Sequence, residues 1–443
     1  MRRFLASAAT VAATALAAAP AAPAANDPLR PKQWGLDMIE ANDATHGITR
    51  GQGAVVAVVD SGVLAGHEDL GGRLLPGYDF VQNDGTPQDG NGHGTHVTGV
   101  VAANQNNAVG IGSTAPGAQV LPVRVLDDEG AGSDEDVAKG IDYAVAQGAD
   151  VINLSLGPDI PIGAIGLTGE SDDAVARAVS RGVIVVAASG NNSLPICEQA
   201  GAGGRLICVG SVDKRRMRSM FSSFGSGLDL VAPGGSGLPL CDEDILSTVP
   251  APPDPPQCGR TGPYEEFAGT SQAAPHVAGV AALLVSRGVH GDDAINRVIE
   301  TASDAGPPGH DPEYGAGIVN ARAALAGLGG GGGSGGSGGA ARPAVSIPRV
   351  QKIRSVLKKG VKARCKGTNG GRCRGSVSRK RRLLAEGSKG LRPGRTVTLY
   401  ARATKRAKRD LRKALKRRKR VKVAFKVTIP GLAPQRKTVT LKP

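Results

Sequence analysis

The 443 residues are enough for one large folded domain and one small one, and no stretch after the first 25 is long and apolar enough to read as a membrane span. The net charge of +15 hides a division: from Arg342 onward 35 Lys or Arg face two acids, Glu386 and Asp410, for +33, while the rest carries −18. A uniformly basic protein is therefore excluded, and two regions of opposite sign are expected in one chain.

Residues 1–25 begin with Arg2 and Arg3, continue as the Ala-rich apolar stretch Phe4–Ala19, and end in small residues that allow cleavage near Ala24 or Ala25. This is the layout of a secretory signal, too short for a span, and it predicts a secreted, extracellular protein. An anchoring helix is the alternative. Six cysteines fit export: they fall in local pairs, Cys197 with Cys208, Cys241 with Cys258 and Cys365 with Cys373, and are expected as three disulfides. Cys-x-x-Cys does not occur, which argues against a zinc or redox site.

Residues 26–326 alternate buried-strand runs with amphipathic helices. Ala54–Val59 is continuously apolar, as a strand covered on both faces must be, and runs into Asp60-Ser61-Gly62. His93-Gly94-Thr95-His96 opens a helical pattern. Val120–Leu126, Val151–Leu156 and Val183–Ala188 read as further strands, the last followed by Ser189-Gly190-Asn191. Ser133 is expected to cap a helix lined by Val137, Ile141, Ala144 and Val145, and Ser171 another lined by Val175, Ala178 and Val179. Ser271 stands ahead of the apolar helix Ala273–Val285, with Pro275 expected in the first turn. The alternation predicts an α/β fold with a mainly parallel sheet and helices on both faces. Chemistry then gathers beyond the carboxyl ends of the strands, where Asp60 and Asn191 both fall.

Residues 327–341 are mostly Gly and Ser, a flexible linker with no capacity for a core. Residues 342–443 form the basic part. Gly360–Lys366, Thr396–Ala401, Val421–Ile429 and Thr438–Leu441 alternate as half-exposed strands do, and Lys405–Arg420 is a very basic segment with Leu411 and Leu415 at helical spacing. A small β-rich domain with one basic helix follows. It could tether the chain to an anionic polymer, a cell-wall polyphosphate or a nucleic acid. It could instead dock on the chain's own acidic region, or merely stand in solvent. Only Tyr400 and Phe425 are aromatic here, so base stacking has few platforms and non-specific charge attraction is the better reading.

Four residues carry the chemistry. A serine hydroxyl needs a base to become a nucleophile near neutral pH. His93 can take the Ser271 proton and return it to a leaving amine, and Asp60 can hold the imidazole and stabilise the imidazolium. The Asn191 side-chain amide and the Ser271 backbone N–H can meet a developing oxyanion. No cofactor is needed for this chemistry.

The blocks Asp60-Ser61-Gly62, His93-Gly94-Thr95-His96-Val97, Ser155-Leu156-Gly157, Gly190-Asn191 and Gly269-Thr270-Ser271-Gln272-Ala273-Ala274-Pro275 resemble those of the subtilisin-like serine proteases. The resemblance spans about Asp27 to Leu325. It implies a secreted endopeptidase acting on proteins or peptides, with Asp60, His93 and Ser271 as triad, Asn191 as oxyanion donor, and Ser155, Leu156 and Gly157 as the edge that pairs with extended substrate. It also implies a structural calcium site on the Asn104–Ile111 loop. Asn107 would give a side-chain oxygen, Val109 and Ile111 carbonyls, and Asp69 and Asp27 carboxylates. The acids Asp127-Asp128-Glu129 and Asp134-Glu135-Asp136 lie where the family binds upstream substrate residues. They read better as a solvated loop and first-turn acids than as a selector for basic side chains. The inhibitory prodomain usual in secreted members has no counterpart between the signal and Asn26-Asp27-Pro28. The function of another class that the chain admits is a polyanion- or envelope-binding protein on an inert protease-like scaffold. The intact triad favours the endopeptidase.

Overall fold

The computed structural model describes residues 26–156, 169–197, 206–238, 242–250, 262–328, 344–346, 350–352, 356–357, 361–366, 371–379, 382–391, 396–417, 421–429 and 432–442. Six strands, β1 (Val55–Asp60), β3 (Gln119–Arg124), β4 (Val151–Leu154), β5 (Ile184–Ala188), β6 (Ile207–Val212) and β7 (Leu230–Pro233), join the short β2 (Tyr78–Asp79) in one sheet ordered β2-β3-β1-β4-β5-β6-β7. Every pairing in it is parallel. Strands β4 to β7 are buried at every residue, which is why their sequences are unbroken apolar or small runs and not alternating ones.

Strands β2 and β3 lie to one side of β1, and β4 to β7 lie to the other. The direction of winding therefore changes between β1 and β4, and the carboxyl ends of these two strands flank the crevice that such a change opens. Asp60 is the last residue of β1, and Ser155 directly follows β4.

The helices of this domain are α1 (Trp34–Met38), α2 (Asp43–His46), α3 (His93–Ala102), α4 (Asp134–Ala146), α5 (Glu170–Ser180), α6 (Thr270–Ser286), α7 (Gly291–Glu300) and α8 (Ala321–Leu325). Helix α6 is buried continuously from Gln272 to Val285 and packs on β4, β5, β6, β7 and α3. A helix apolar all round belongs in such a position. Strands β8 (Ile245–Thr248) and β9 (Tyr264–Phe267), not read from the sequence, make a separate antiparallel ribbon.

Two helix starts differ in outcome. Ser133 caps α4 as expected, accepting from Asp136 N at 3.0 Å. Ser171 does not cap α5. That helix begins at Glu170, and Asp134 at the start of the adjacent α4 accepts from Glu170 N (2.6 Å), Ser171 N (3.3 Å) and the Ser171 hydroxyl. A carboxylate from a neighbouring helix satisfies orphan N–H groups better than a local hydroxyl, through charge as well as hydrogen bonding.

In the basic region eight strands follow one another in the order β10-β12-β15-β14-β13-β16-β17-β11. They are β10 (Ala344–Ser346), β11 (Val350–Lys352), β12 (Val361–Lys366), β13 (Gly371–Arg379), β14 (Arg382–Leu391), β15 (Thr396–Ala403), β16 (Val421–Ile429) and β17 (Leu432–Lys442). Neighbours are antiparallel except β11 with β17. Val377, Leu399, Val427 and Val439 belong to a core of its own, and the basic helix Lys405–Lys416 adds Leu411 to it. The sequence reading missed β13 and β14, because their glycines and arginines dilute the alternation.

Cys197 and Cys208 are joined by a disulfide. Cys373 is also disulfide-bonded, while Cys241, Cys258 and the side chain of Cys365 lie outside the described residues.

The buried histidines His46, His67, His96 and His276, all lowered by burial, set an acid limit on stability. Burial pushes His46 down to about 4, His96 to about 3 and His276 to about 4. Each stays neutral in the fold but charges in the unfolded chain below its ordinary value of 6.5. The unfolded state thus binds more protons in this window, so stability is full above pH 6.5 and is lost as the pH falls toward 4. By pH 4 each of these last three sites, His46, His96 and His276, costs on the order of 3 kcal/mol. Melting temperatures of the Ser271→Ala protein, free of self-digestion, should fall steadily from pH 7 to pH 4.5. A flat profile would refute this.

Candidate active site

Asp60 and His93 meet where β1 ends and α3 begins. His93 Nδ1 lies 2.7 Å from Asp60 Oδ1, which also accepts from Ser61 N at 2.8 Å. Asp60 is fully buried, while the His93 side chain keeps 25% of its surface exposed. An ionised carboxylate only accepts, so Nδ1 carries a proton and Nε2 of the neutral ring is the basic atom. Burial by itself holds the His93 pKa down. The charge and hydrogen bond of Asp60, with the charge of Asp89, outweigh burial and leave the imidazole above its ordinary value.

Ser271 is the second residue of α6, which opens on Gly269 as N-cap. Pro275 is therefore the sixth residue of the helix and not in its first turn as expected. Having no N–H, Pro275 leaves the carbonyl four residues back, that of Ser271, without its helical donor. The Ser155 hydroxyl supplies the missing bond, donating to Ser271 O at 2.7 Å. The contact is reciprocal, for the Ser271 hydroxyl donates to Ser155 O at 3.1 Å. In this state the hydroxyl is turned to the β4 end and not to His93.

Asn191 lies just past β5. Its Oδ1 accepts from Thr270 N (2.8 Å) and the Thr270 hydroxyl (2.9 Å), while Gly190 N donates back to Thr270 Oγ1 at 3.2 Å. With the oxygen so held, the amide nitrogen is the end left to face a substrate. A Cβ on Gly269 would stand 3.4 Å from Asn191 Nδ2, 3.5 Å from Ser271 N and 2.7 Å from Gln272 Oε1. Two N–H donors thus converge on one small space, which any side chain at Gly269 would fill.

The subtilase family profile matches residues 51–317. The chain is a subtilase. Thermitase of Thermoactinomyces vulgaris is 42% identical to it over 301 residues, spanning 68% of this chain and 98% of thermitase. Subtilisin Savinase of Lederbergia lenta is 38% identical over 293 residues, or 66% and 97% of the two chains. A protease of Pseudoalteromonas arctica PAMC 21717, of known structure, aligns with a TM-score of 0.59 at 32% identity, covering 69% of this chain and 100% of that one. The present subtilase is accordingly a serine endopeptidase of subtilisin-like α/β fold.

Of the expected substrate edge of the subtilase, Ser155 is spent on Ser271, Leu156 packs half-buried on the core, and Gly157 lies outside the described residues. The residues read as metal ligands do come together. Asp69 accepts from Asn107 Nδ2 (2.8 Å) and Ile111 N (2.9 Å), Asp27 from Asn106 N (2.8 Å) and Asn107 N (3.0 Å), and Val109 N donates to Asn107 Oδ1 (3.1 Å). The acids beside the cleft have local work. Arg124 binds both the buried Asp79 and Asp128 at 2.7 Å, Asp127 accepts from Glu129 N and Ala131 N, and Asp134 caps α5.

Sequence reading missed Thr270, Ser155 as a partner of Ser271, and Asp89. For Asp89 a signal existed: a carboxylate four residues ahead of His93, where a helix begins. For the other two it did not, since their partners are distant in the chain.

Proposed function

We propose that this subtilase is an exported endopeptidase that works through Asp60, His93 and Ser271, with Asn191 and the Ser271 N–H receiving the oxyanion. His93 Nε2 takes the Ser271 proton as Oγ attacks the scissile carbonyl. The negative charge that builds on the carbonyl oxygen meets donors held in place beforehand, which need no reorganisation as the reaction proceeds. Collapse of the intermediate breaks the C–N bond, His93 gives its proton to the leaving amine, and an acyl-enzyme remains. Water, deprotonated by His93, then frees the acid. The observation that carries this reading is the 2.7 Å pairing of buried Asp60 with His93 at the sheet's carboxyl edge. A fluorophosphonate probe should label a single serine, and sequencing of the labelled peptide should return Ser271. Labelling elsewhere, or none, overturns the assignment. Export rests on the signal-like residues 1–25 and on the disulfides. We read 26–326 as the peptidase domain, 327–341 as linker and 342–443 as a separate basic domain.

A structural calcium ion suits the Asn104–Ile111 loop. Two carboxylates, an amide and carbonyls are the hard oxygens calcium takes. Burial pushes the Asp69 carboxyl up to about 6, hydrogen bonds from Ile111 and Asn107 only partly offset this, and Asp27 adds like charge. A cation held between Asp27 and Asp69 would relieve that strain, with Asn107 turned to present its oxygen. An ion bound only by the folded form stabilises by about 2.7 kcal/mol at a hundredfold excess over its dissociation constant. Chelator should therefore lower the melting temperature and added calcium restore it. Indifference to both would remove the ion from the picture.

The basic domain is proposed to hold the enzyme on an anionic polymer of the cell wall or on nucleic acid. The helix Lys405–Lys416 sets Lys405, Arg409, Arg412 and Lys416 along one exposed line, opposite the buried Ala407 and Leu411. Binding by such a stripe releases counterions and weakens steeply with salt. A chain ending at Leu328 should keep its kinetics on a short soluble peptide and lose retention on heparin or nucleic acid. Altered kinetics that salt abolishes would instead mean docking on the acidic peptidase domain.

A further inference from the structure

Asp89 stands four residues before His93, is 4% exposed, and is not a member of the triad. We propose that Asp89 is a positioning residue that locks Asp60 and His93 to each other, an inference that rests on the triad reading above. Its Oδ1 accepts from the Ser61 hydroxyl (2.9 Å), Asn91 N (3.0 Å) and Gly92 N (2.8 Å). Its Oδ2 accepts from Thr95 N (2.9 Å) and the Thr95 hydroxyl (2.6 Å). Charge-assisted bonds of this kind are the strong ones, and five of them fix one carboxylate between two segments.

The two segments are the ones that carry the pair. The N-cap of α3 is Gly92, at φ 102°, which has no side chain with which to satisfy the first turn. Other residues do so: His93 N donates to Asn91 Oδ1 (3.2 Å), Gly94 N to Ser61 Oγ (2.9 Å) and Thr95 N to Asp89. Ser61 therefore accepts from the turn after His93, donates to Asp89, and gives its own N–H to Asp60 Oδ1 at 2.8 Å. Starting from Asp89, one path runs through Ser61 to Asp60 and another through the first turn of α3 to His93. The Asp60–His93 bond closes the ring. Gly94 must be glycine for this ring to close, because a Cβ there would stand 2.1 Å from Gly62 O.

The charge of Asp89 has a second consequence. The titratable groups that bear on His93 are Asp60 at the end of β1, Asp89 ahead of α3, and His96 one turn along α3, which burial keeps neutral. Asp89 is thus the second negative charge favouring the imidazolium formed when His93 takes the serine proton.

Two substitutions in the full chain separate geometry from charge. Asp89→Asn keeps the size of the side chain but removes one acceptor and the charge. It should lower kcat roughly ten- to a hundredfold, the scale of a small misplacement of catalytic groups, with KM little changed. The acid limb of its kcat/KM profile should move to lower pH. Ser61→Ala keeps the charge and the Ser61 N–H bond to Asp60 but removes the hydroxyl that donates to Asp89 and accepts from Gly94 N, so it should lower kcat and leave the acid limb in place. A folded Asp89→Asn protein with wild-type kcat overturns the proposal. So does a kcat loss without movement of the acid limb, which a merely structural role would give. If Asp89→Asn does not fold, Ser61→Ala decides, and a wild-type kcat there overturns it. Failure of the triad itself would show separately, as probe labelling of the wild-type chain at a residue other than Ser271.

Discussion

Replacing Ser271 or His93 with alanine should lower kcat by about a millionfold if the two act as proposed, on the scale of the loss in subtilisin. The size follows from the coupling of the parts. Without Ser271 there is no nucleophile for His93 to activate, and without His93 the serine hydroxyl holds its proton at neutral pH. The double variant should accordingly be no worse than either single one. What remains comes from the Asn191 and Ser271 N–H donors and from substrate binding. Burst-phase assays with an activated ester provide the check: an acyl-enzyme burst that survives in Ser271→Ala would show that another residue is the nucleophile. Asp60→Asn should cost less, on the order of ten-thousandfold, because an amide at the 2.7 Å contact no longer dictates the His93 tautomer while the nucleophile and base remain.

Asn191→Ala should lower kcat on the order of a hundred- to a thousandfold, the scale seen for the oxyanion donor of subtilisin, with KM little changed. The effect falls on kcat because the donor meets charge that exists only in the transition state. Thr270→Val should show part of the same loss. Valine keeps the backbone N–H at 2.8 Å from Asn191 Oδ1 but removes the hydroxyl bond at 2.9 Å, so the amide is held by one contact and not two. Steady-state kinetics on one peptide for both variants test this. A rise in KM with unchanged kcat would make Asn191 a ground-state binding group.

The pH dependence of activity follows from the same pair. As the proposed base, His93 can accept the serine proton only when neutral, and Asp60 and Asp89 hold its pKa above the ordinary value. The acid limb of kcat/KM should therefore lie higher than for a free imidazole, with activity falling as the pH drops through it.

Much of this was legible in the sequence because it is local. The apolar runs Ala54–Val59, Val151–Leu156 and Val183–Ala188 read as strands covered on both faces, and β1, β4 and β5 of the parallel sheet lie in them, whereas β6 and β7 were not read from the sequence. Asp60, His93, Asn191 and Ser271 each sit in a short block next to a strand end or helix start, which is why they could be picked out as candidates from the fold class. The Cys197–Cys208 bridge, over a separation of 11 residues, was readable from proximity.

Tertiary structure alone decided how these groups are held. Pro275 looked tolerable as a first-turn residue; its true cost is an orphaned Ser271 carbonyl, made good by Ser155 from 116 residues away. The α5 cap passed from Ser171 to Asp134, 36 residues upstream of Glu170, because the two helices lie side by side. Asp89 gained its place only when the turn after β1 came against the start of α3. The physical reason is common to all three. Propensity and periodicity act over a few residues and fix which elements form, whereas a buried polar atom takes the nearest partner in space, and that partner exists only once the elements have packed.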